Sequence, residues 1–167
     1  MQPQTFLFKN DGQIPNNEHL PMLFYAGAFA EGFDPSVIED TFEANHWGNS
    51  WRNGVFPYPH YHTNAHEALA CYSGSASIRF GGDAGVVQEV KAGDLVILPA
   101  GVGHERLKAN WEFAVVGAYP AGQSPDLFRG DSPVSDRELA NIGRVPLPEL
   151  DPAFGDNGLP DHWHAPN

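Results

Sequence analysis

An all-β or mostly-β domain, a sandwich or barrel of short strands, is what the sequence predicts, and three observations predict it. Glycine and proline together supply 33 of the 167 residues (18 Gly, 15 Pro), about a fifth against an average of roughly 12%. That excess has no collagen-like period, and a 41% hydrophobic content is too high for a disordered chain and sufficient to bury a core. From about residue 55 to 119, runs rich in β-branched and aromatic residues alternate with glycine turns, the texture of short strands in a sandwich or barrel. The length fits one domain over 1–167 and is too short for two cores and a linker.

The elements follow in order. The N-terminal extension, 1–51, opens with a strand-like run at 5–8 and a turn at Asp11-Gly12 and Pro15-Asn16-Asn17, then a second apolar run at 22–29. Asp34-Pro35 offers an N-cap and a first-turn proline, and Val37, Ile38 and Phe42 share a helical face before Gly48, which predicts a short helix over about 35–45. The core, about 54–119, has strand-like runs at 67–72, 75–80, 86–90, 95–98 and 111–119. Ser73-Gly74, Gly81-Gly82-Asp83, Ala92-Gly93-Asp94 and Gly101-Val102-Gly103 punctuate them. The C-terminal tail, 120–167, is proline-rich and irregular. Ser135-Asp136-Arg137-Glu138 fits a capping box there, with Gly143 to end the helix. A tail of this composition lies on the outside of the core or over its mouth.

Charge and cysteine content narrow the function. Nine Lys and Arg against 21 Asp and Glu leave a net charge of −12, a field that repels phosphate backbones and anionic bilayers. Nucleic acid and membrane surfaces are therefore excluded as expected partners. Cys71 is the sole cysteine, so no internal disulfide ties the chain to an oxidising compartment. The first ten residues lack a basic region followed by an apolar run, and no apolar stretch reaches the roughly 20 residues of a spanning helix. A cytoplasmic setting is the expectation.

The densest chemistry lies in Gly54-Val-Phe-Pro-Tyr-Pro-His60-Tyr-His62-Thr-Asn-Ala-His66-Glu67. Histidines two apart on a strand point to one face. A two-residue hairpin loop at Asn64-Ala65 sets His62 across from Glu67 and His60 opposite Leu69, with His66 on the other side. That register selects Glu67 as a third ligand and leaves His66 as a surface residue or an indirect contact, unless the hairpin slips. Downstream, Gly93-Asp-Leu-Val-Ile-Leu-Pro99-Ala-Gly101-Val-Gly-His104 reads as a strand, a stop and a glycine turn that brings His104 back toward the first three. Three imidazoles and one carboxylate suit one divalent transition metal ion (Fe, Mn, Ni, Cu or Zn) better than Mg or Ca. Four protein ligands on a six-coordinate ion leave two positions open, the arrangement catalysis requires.

These stretches resemble the two cupin motifs. Gly54, His60, His62, Glu67 and Gly74 match G-x5-H-x-H-x4-E-x6-G; Gly93, Pro99, Gly101 and His104 match G-x5-P-x-G-x2-H-x3-N, with Lys108 in place of the final Asn. The flanking segments resemble small single-domain bacterial cupins of the YjlB-like group. The resemblance implies an antiparallel β-barrel or jelly roll of the RmlC-like type with a metal inside one end, held by His60, His62, Glu67 and His104, and a tendency to form homodimers. Because the superfamily spans dioxygenases, isomerases, epimerases, storage proteins and ligand-binding regulators, it implies fold and metal far more firmly than reaction.

Alternation places Phe56, Tyr58, Leu69, Ile78 and Phe80 around the metal with few charges, the last two through a two-residue turn at Ser73-Gly74. Tyr58 is the candidate catalytic residue that hydrogen-bonds substrate. Arg52, Arg106 and Lys108 read as rim charges, Cys71 as a buried structural thiol, and Trp47, Trp51 and Trp111 as core. His162-Trp163-His164 reads as an anchor for the tail, with a histidine over the pocket as the minor alternative. The expected function is a mononuclear metal-dependent enzyme, dioxygenase- or isomerase-like, acting on a small organic molecule. The alternative is a non-catalytic binding or sensing cupin; a purely structural dimer subunit would have an occluded mouth.

Overall fold

The computed structural model of the chain describes residues 1–30 and 34–166. Nine strands form two antiparallel sheets: β1 (Gln4–Phe6), β2 (Met22–Tyr25), β3 (Trp47–Asn53), β4 (Glu67–Ser73), β5 (Ser75–Phe80), β6 (Val86–Lys91), β7 (Leu95–Leu98), β8 (His104–Ala109) and β9 (Ala114–Pro120). Three helices complete the described residues: α1 (Pro35–Ala44), α2 (Asp136–Arg144) and α3 (Leu159–His162). The larger sheet runs β1-β2-β7-β4-β9-β3 and the smaller runs β6-β5-β8.

The sheets face each other without joining into one continuous ladder, so the expected closed barrel is corrected to two sheets. The separation begins at Gly74. Its φ of +66° and the Phe113 backbone nitrogen, 2.5 Å from where a Cβ would stand, favour glycine at that bend. The chain there leaves β4 for the opposite sheet instead of folding back as a hairpin. Ile78 consequently pairs with Arg106 and Gln88, and Phe80 with His104 and Val86, not with Leu69 and Glu67 as the hairpin register expected.

Both faces of the larger sheet are covered. Leu69, Cys71, Val96, Leu98 and Val115 meet Ile78, Phe80 and Val90 of the smaller sheet in one apolar core. The other face carries Leu23, Tyr25, Ala68, Ala70, Leu95, Ile97 and Val116 against Ile38 and Phe42 of α1, Leu159 and Trp163. This explains the unbroken apolar run of β7, buried on both sides. The tail takes part in each layer. Trp47 donates its indole N–H to Leu150 and Trp163 donates to Pro21, at 3.0 and 2.8 Å, while Pro125, Asp126 and Leu127 border a cavity on the inner side. Trp111, expected in the core, is 91% exposed in the turn before β9.

No helix among the described residues is long and apolar enough to cross a membrane.

Candidate metal centre

The site is assembled from three pieces of chain. The segment carrying His60 and His62 is not a hairpin strand. It lies between β3 and β4 as irregular chain with isolated bridges from His60 to His104 and from Tyr61 to Phe128. The hairpin register at Asn64-Ala65 is therefore corrected. Instead, the glycine turn ahead of β8 docks on this segment. Gly101 donates its N–H to the His62 carbonyl at 2.7 Å, and His60 and His104 exchange backbone hydrogen bonds at 3.1 and 3.0 Å. Gly101 has φ +94°, and a Cβ there would stand 2.4 Å from the Asn16 carbonyl oxygen, so the docking requires glycine.

The third piece is the start of the tail. Asp126 accepts from the Thr63 N–H at 2.6 Å and from the Thr63 hydroxyl, and its own N–H donates to Asn64 Oδ1 at 2.8 Å. Its carbonyl oxygen receives His62 Nδ1. A strap of tail thus fixes the loop that presents His62.

His62, Glu67 and His104 converge, each with a donor atom within 4.8 Å of the others. His104 Nε2 stands 3.2 Å from Glu67 Oε1 and His62 Nε2 stands 3.6 Å from Oε2. His60 stays outside this trio: its ring packs 3.9 Å, centroid to centroid, from that of His104 and 6.1 Å from that of His62. Glu67 and His104 are buried, and His62 is partly so.

Backbone carbonyls set the tautomers. Nδ1 of His60 faces the Tyr58 carbonyl at 3.0 Å, Nδ1 of His104 faces that of Val102 at 3.1 Å, and Nδ1 of His62 faces that of Asp126. Each Nδ1 therefore carries hydrogen, and a ring in its neutral form offers its Nε2 lone pair. Two such lone pairs aimed at a buried carboxylate repel it unless a proton or metal cation lies between. The donor set thus fits a divalent transition ion, with carbonyl partners of the kind that orient metal-binding imidazoles.

The electrostatics describe the proton-bridged form of the same contacts. Burial would raise the Glu67 pKa, but His62 and His104 outweigh it and hold the carboxyl below the usual range. Burial opposes charge on His62 as well, yet Glu67 and the Asp126 carbonyl raise its pKa overall. Burial and the neighbouring His104 push His60 down to about 3, so that ring stays neutral and free to donate.

These side chains border a cavity of about 520 Å³ whose apolar wall includes Trp51, Val55, Phe56, Leu69 and Leu127, a size typical of small-molecule sites. Ile78 and Phe80 lie deeper in the core and are not in this wall. Nor is Tyr58: its ring stacks on Phe56 and lies under the Arg129 guanidinium, 3.7 Å from the ring centroid. The tyrosine that borders the cavity is Tyr119. Its hydroxyl accepts from Trp51 Nε1 at 2.8 Å, and burial together with the nearby Glu67 charge raises its pKa. Gly117 makes room for this arrangement, since a Cβ there would lie 2.2 Å from the Trp51 ring.

Sequence reasoning missed Tyr119, Trp51 and Asp126 as site residues. Ala68 pairs with Ala118, which sets Tyr119 beside Glu67, but that register joins strands far apart in the chain. His66, read as a surface residue or an indirect contact on the other side of the strand, does lie on that opposite face but is fully buried there, where its ring meets Trp163 at 4.9 Å. Its Nδ1 accepts from the Ala100 N–H at 2.9 Å. His164 is exposed and His162 borders no part of the cavity. Lys108 is exposed, opposite Ser77, and Cys71 is buried with its thiol pKa pushed up to about 11 by burial.

Comparison with known proteins adds a family to this geometry. The family model described as Cupin matches residues 48–115. The uncharacterized protein YjlB of Bacillus subtilis (strain 168) is 39% identical over 154 residues, covering 92% of each chain. Among solved structures, the 11S allergen of Cocos nucifera is 17% identical with a TM-score of 0.41, covering 86% of this chain and 37% of that one. The chain thus spans little more than a third of that relative's length. The dTDP-6-deoxy-D-glucose-3,5-epimerase RmlC of Legionella pneumophila is 12% identical with a TM-score of 0.37, covering 83% and 81%.

Proposed function

We propose, from the premise that this chain belongs to the cupin family, that it is a mononuclear metal-dependent enzyme acting on a small organic molecule, dioxygenase- or isomerase-like in type. The observation that carries this reading is the pair of imidazole Nε2 atoms directed at one buried carboxylate beside an apolar-walled cavity. His62, Glu67 and His104 would hold the ion, with His60 on the same wall as the fourth donor. A transition ion bound there supplies Lewis acidity toward a substrate oxygen, with Fe, Mn, Ni, Cu and Zn all compatible with the donors.

The chain's own residues do the remainder. Trp51, Phe56 and Leu127 shed water from the bound substrate and present it an apolar wall. The Tyr119 hydroxyl, already accepting from Trp51, has its proton left for a substrate oxygen or Glu67. The hydrogen-bonding role expected of Tyr58 is thereby reassigned to Tyr119.

A second reading, a binding or sensing protein without turnover, is favoured by one feature. Beyond the candidate ligands, the carboxylate of the wall is that of Asp126, already bonded to Thr63, so no second carboxylate base is free. Metal-loaded protein screened against a metabolite panel, for oxygen uptake and for product by mass spectrometry, separates the two. Turnover that disappears in Glu67→Gln supports the enzyme; ligand-induced thermal shifts without product from any compound overturn it.

A further inference from the structure

We infer that the cavity selects small organic carboxylates, with Arg106 as the group that clamps the carboxylate. This deepens the preceding reading and rests on it for the position of the metal-facing end of the ligand.

Arg106 points inward by register. Directly opposed residues of an antiparallel pair share a face, and Arg106 opposes Ile78 just as His104 opposes Phe80. Ile78 and Phe80 are 1% and 0% exposed in the core between the sheets. The neighbour Glu105 opposes Arg79 and forms an ion pair with it at 3.4 Å on the outer face. Arg106 and His104 therefore line the same wall two residues apart, roughly 7 Å along the strand. The Arg106 N–H also donates to the Phe56 carbonyl at 3.0 Å, which fixes its backbone beside the apolar side of the cavity.

A charge inventory of the wall singles it out. Glu67 is engaged by His62 and His104, and Asp126 is bonded to Thr63. Arg52 makes a two-pronged bond to Glu39, at 3.1 and 2.5 Å. Among the described residues bordering the cavity, Arg106 is the charged side chain with no hydrogen-bonded or ionic partner. A chain with 21 acidic residues leaves this inward cation without one of them.

A planar guanidinium with free N–H donors matches a carboxylate edge to edge. The apolar wall suits a hydrocarbon or aromatic body, and the spacing to His104 lets a second oxygen of the ligand reach the candidate metal centre. The ligand class is thus a small carboxylic acid with an apolar body and an oxygen near its acid end.

Calorimetric titration of the full chain with matched acid and amide pairs (benzoate and benzamide, phenylacetate and phenylacetamide, mandelate and mandelamide) tests this. The parent is expected to bind at least one acid about tenfold or more tightly than its amide. That preference is expected to collapse in Arg106→Gln and to persist, weakened, in Arg106→Lys. Added salt is expected to weaken acid binding and leave amide binding alone, a readout on the parent that does not depend on a variant folding. Equal binding of acids and amides, no binding of any acid, or a preference that survives in Arg106→Gln would each overturn the inference. Metal content measured on the same samples keeps the two readings apart. Acid preference without metal defeats the enzyme and spares the clamp; a metal-replete protein blind to charge does the reverse.

Discussion

His66 and Glu67 are adjacent in sequence and buried to the same degree, 0% and 3% exposed, yet they serve opposite faces of the larger sheet. On the outer face the prominent polar groups are held by partners within the fold, apart from His66 Nε2, which is buried without a hydrogen bond. His66 Nδ1 takes the Ala100 N–H, and the Asp151 carboxylate collects the Tyr25 hydroxyl and the N–H groups of Ala153, Phe154 and Leu159. On the inner face two imidazole lone pairs are aimed at a carboxylate, beside an arginine with no partner. A satisfied polar network fixes structure, whereas an incomplete cluster that borders a cavity leaves its donors and acceptors open to a ligand. In the function proposed above, the polar groups of the outer face serve the fold, and those of the inner face that border the cavity serve a ligand.

The comparison breaks hardest at Asp151. Asp151→Ala strands the buried Tyr25 hydroxyl and Leu159 N–H and frees the partly buried N–H groups of Ala153 and Phe154, a cost expected to reach about 3 kcal/mol. Urea unfolding measures it, while the metal capacity of the protein that remains folded is expected to be unchanged. Loss of metal with intact stability would mean the two faces are not separable.

His66 offers a pH test of nearly the same size. Burial lowers its pKa in the folded state from 6.5 to about 4, so between these values the unfolded chain binds the extra proton. Stability present above pH 6.5 is therefore lost as pH falls toward 4, by about 3 kcal/mol from this residue. Stability curves across that range are expected to flatten in His66→Asn. An unchanged slope would place the acid sensitivity elsewhere.

Asp126→Ala has a smaller effect, confined to the inner face. Removing the carboxylate that holds Thr63 loosens the loop presenting His62. Metal affinity is expected to fall about 10- to 100-fold, as for other groups that support a ligand, with melting little altered. Equilibrium dialysis is the measurement, and an unchanged affinity would reduce the strap to a structural tie.

How much of this was legible in the sequence follows from the range of the forces involved. Period-two alternation along β4 set Glu67, Leu69 and Cys71 on one face, because that pattern is local to the strand. The residues of the capping box are local too, and Ser135 and Glu138 do cap α2 reciprocally. The register of His62 against Glu67 is not legible locally, because the segment before β4 takes its shape from Gly101, His104 and Asp126, docking from distant parts of the chain. β3 went unseen: Gly48 and two asparagines give it poor strand propensity. It forms through pairing with β9, across a bulge where Asn49 takes φ +53°. The roles proposed for Tyr119 and Arg106 rest on non-local registers.

The central claim is that His62, Glu67 and His104 exist to hold a metal ion, and metal-to-protein stoichiometry tests it most directly. Protein purified without chelator and reloaded by dialysis, assayed by elemental analysis, is predicted to carry about one transition ion per chain, lost in Glu67→Gln and kept in His66→Asn. A parent protein that takes up no stoichiometric metal, or a Glu67→Gln variant that binds it as tightly as the parent, would contradict the account.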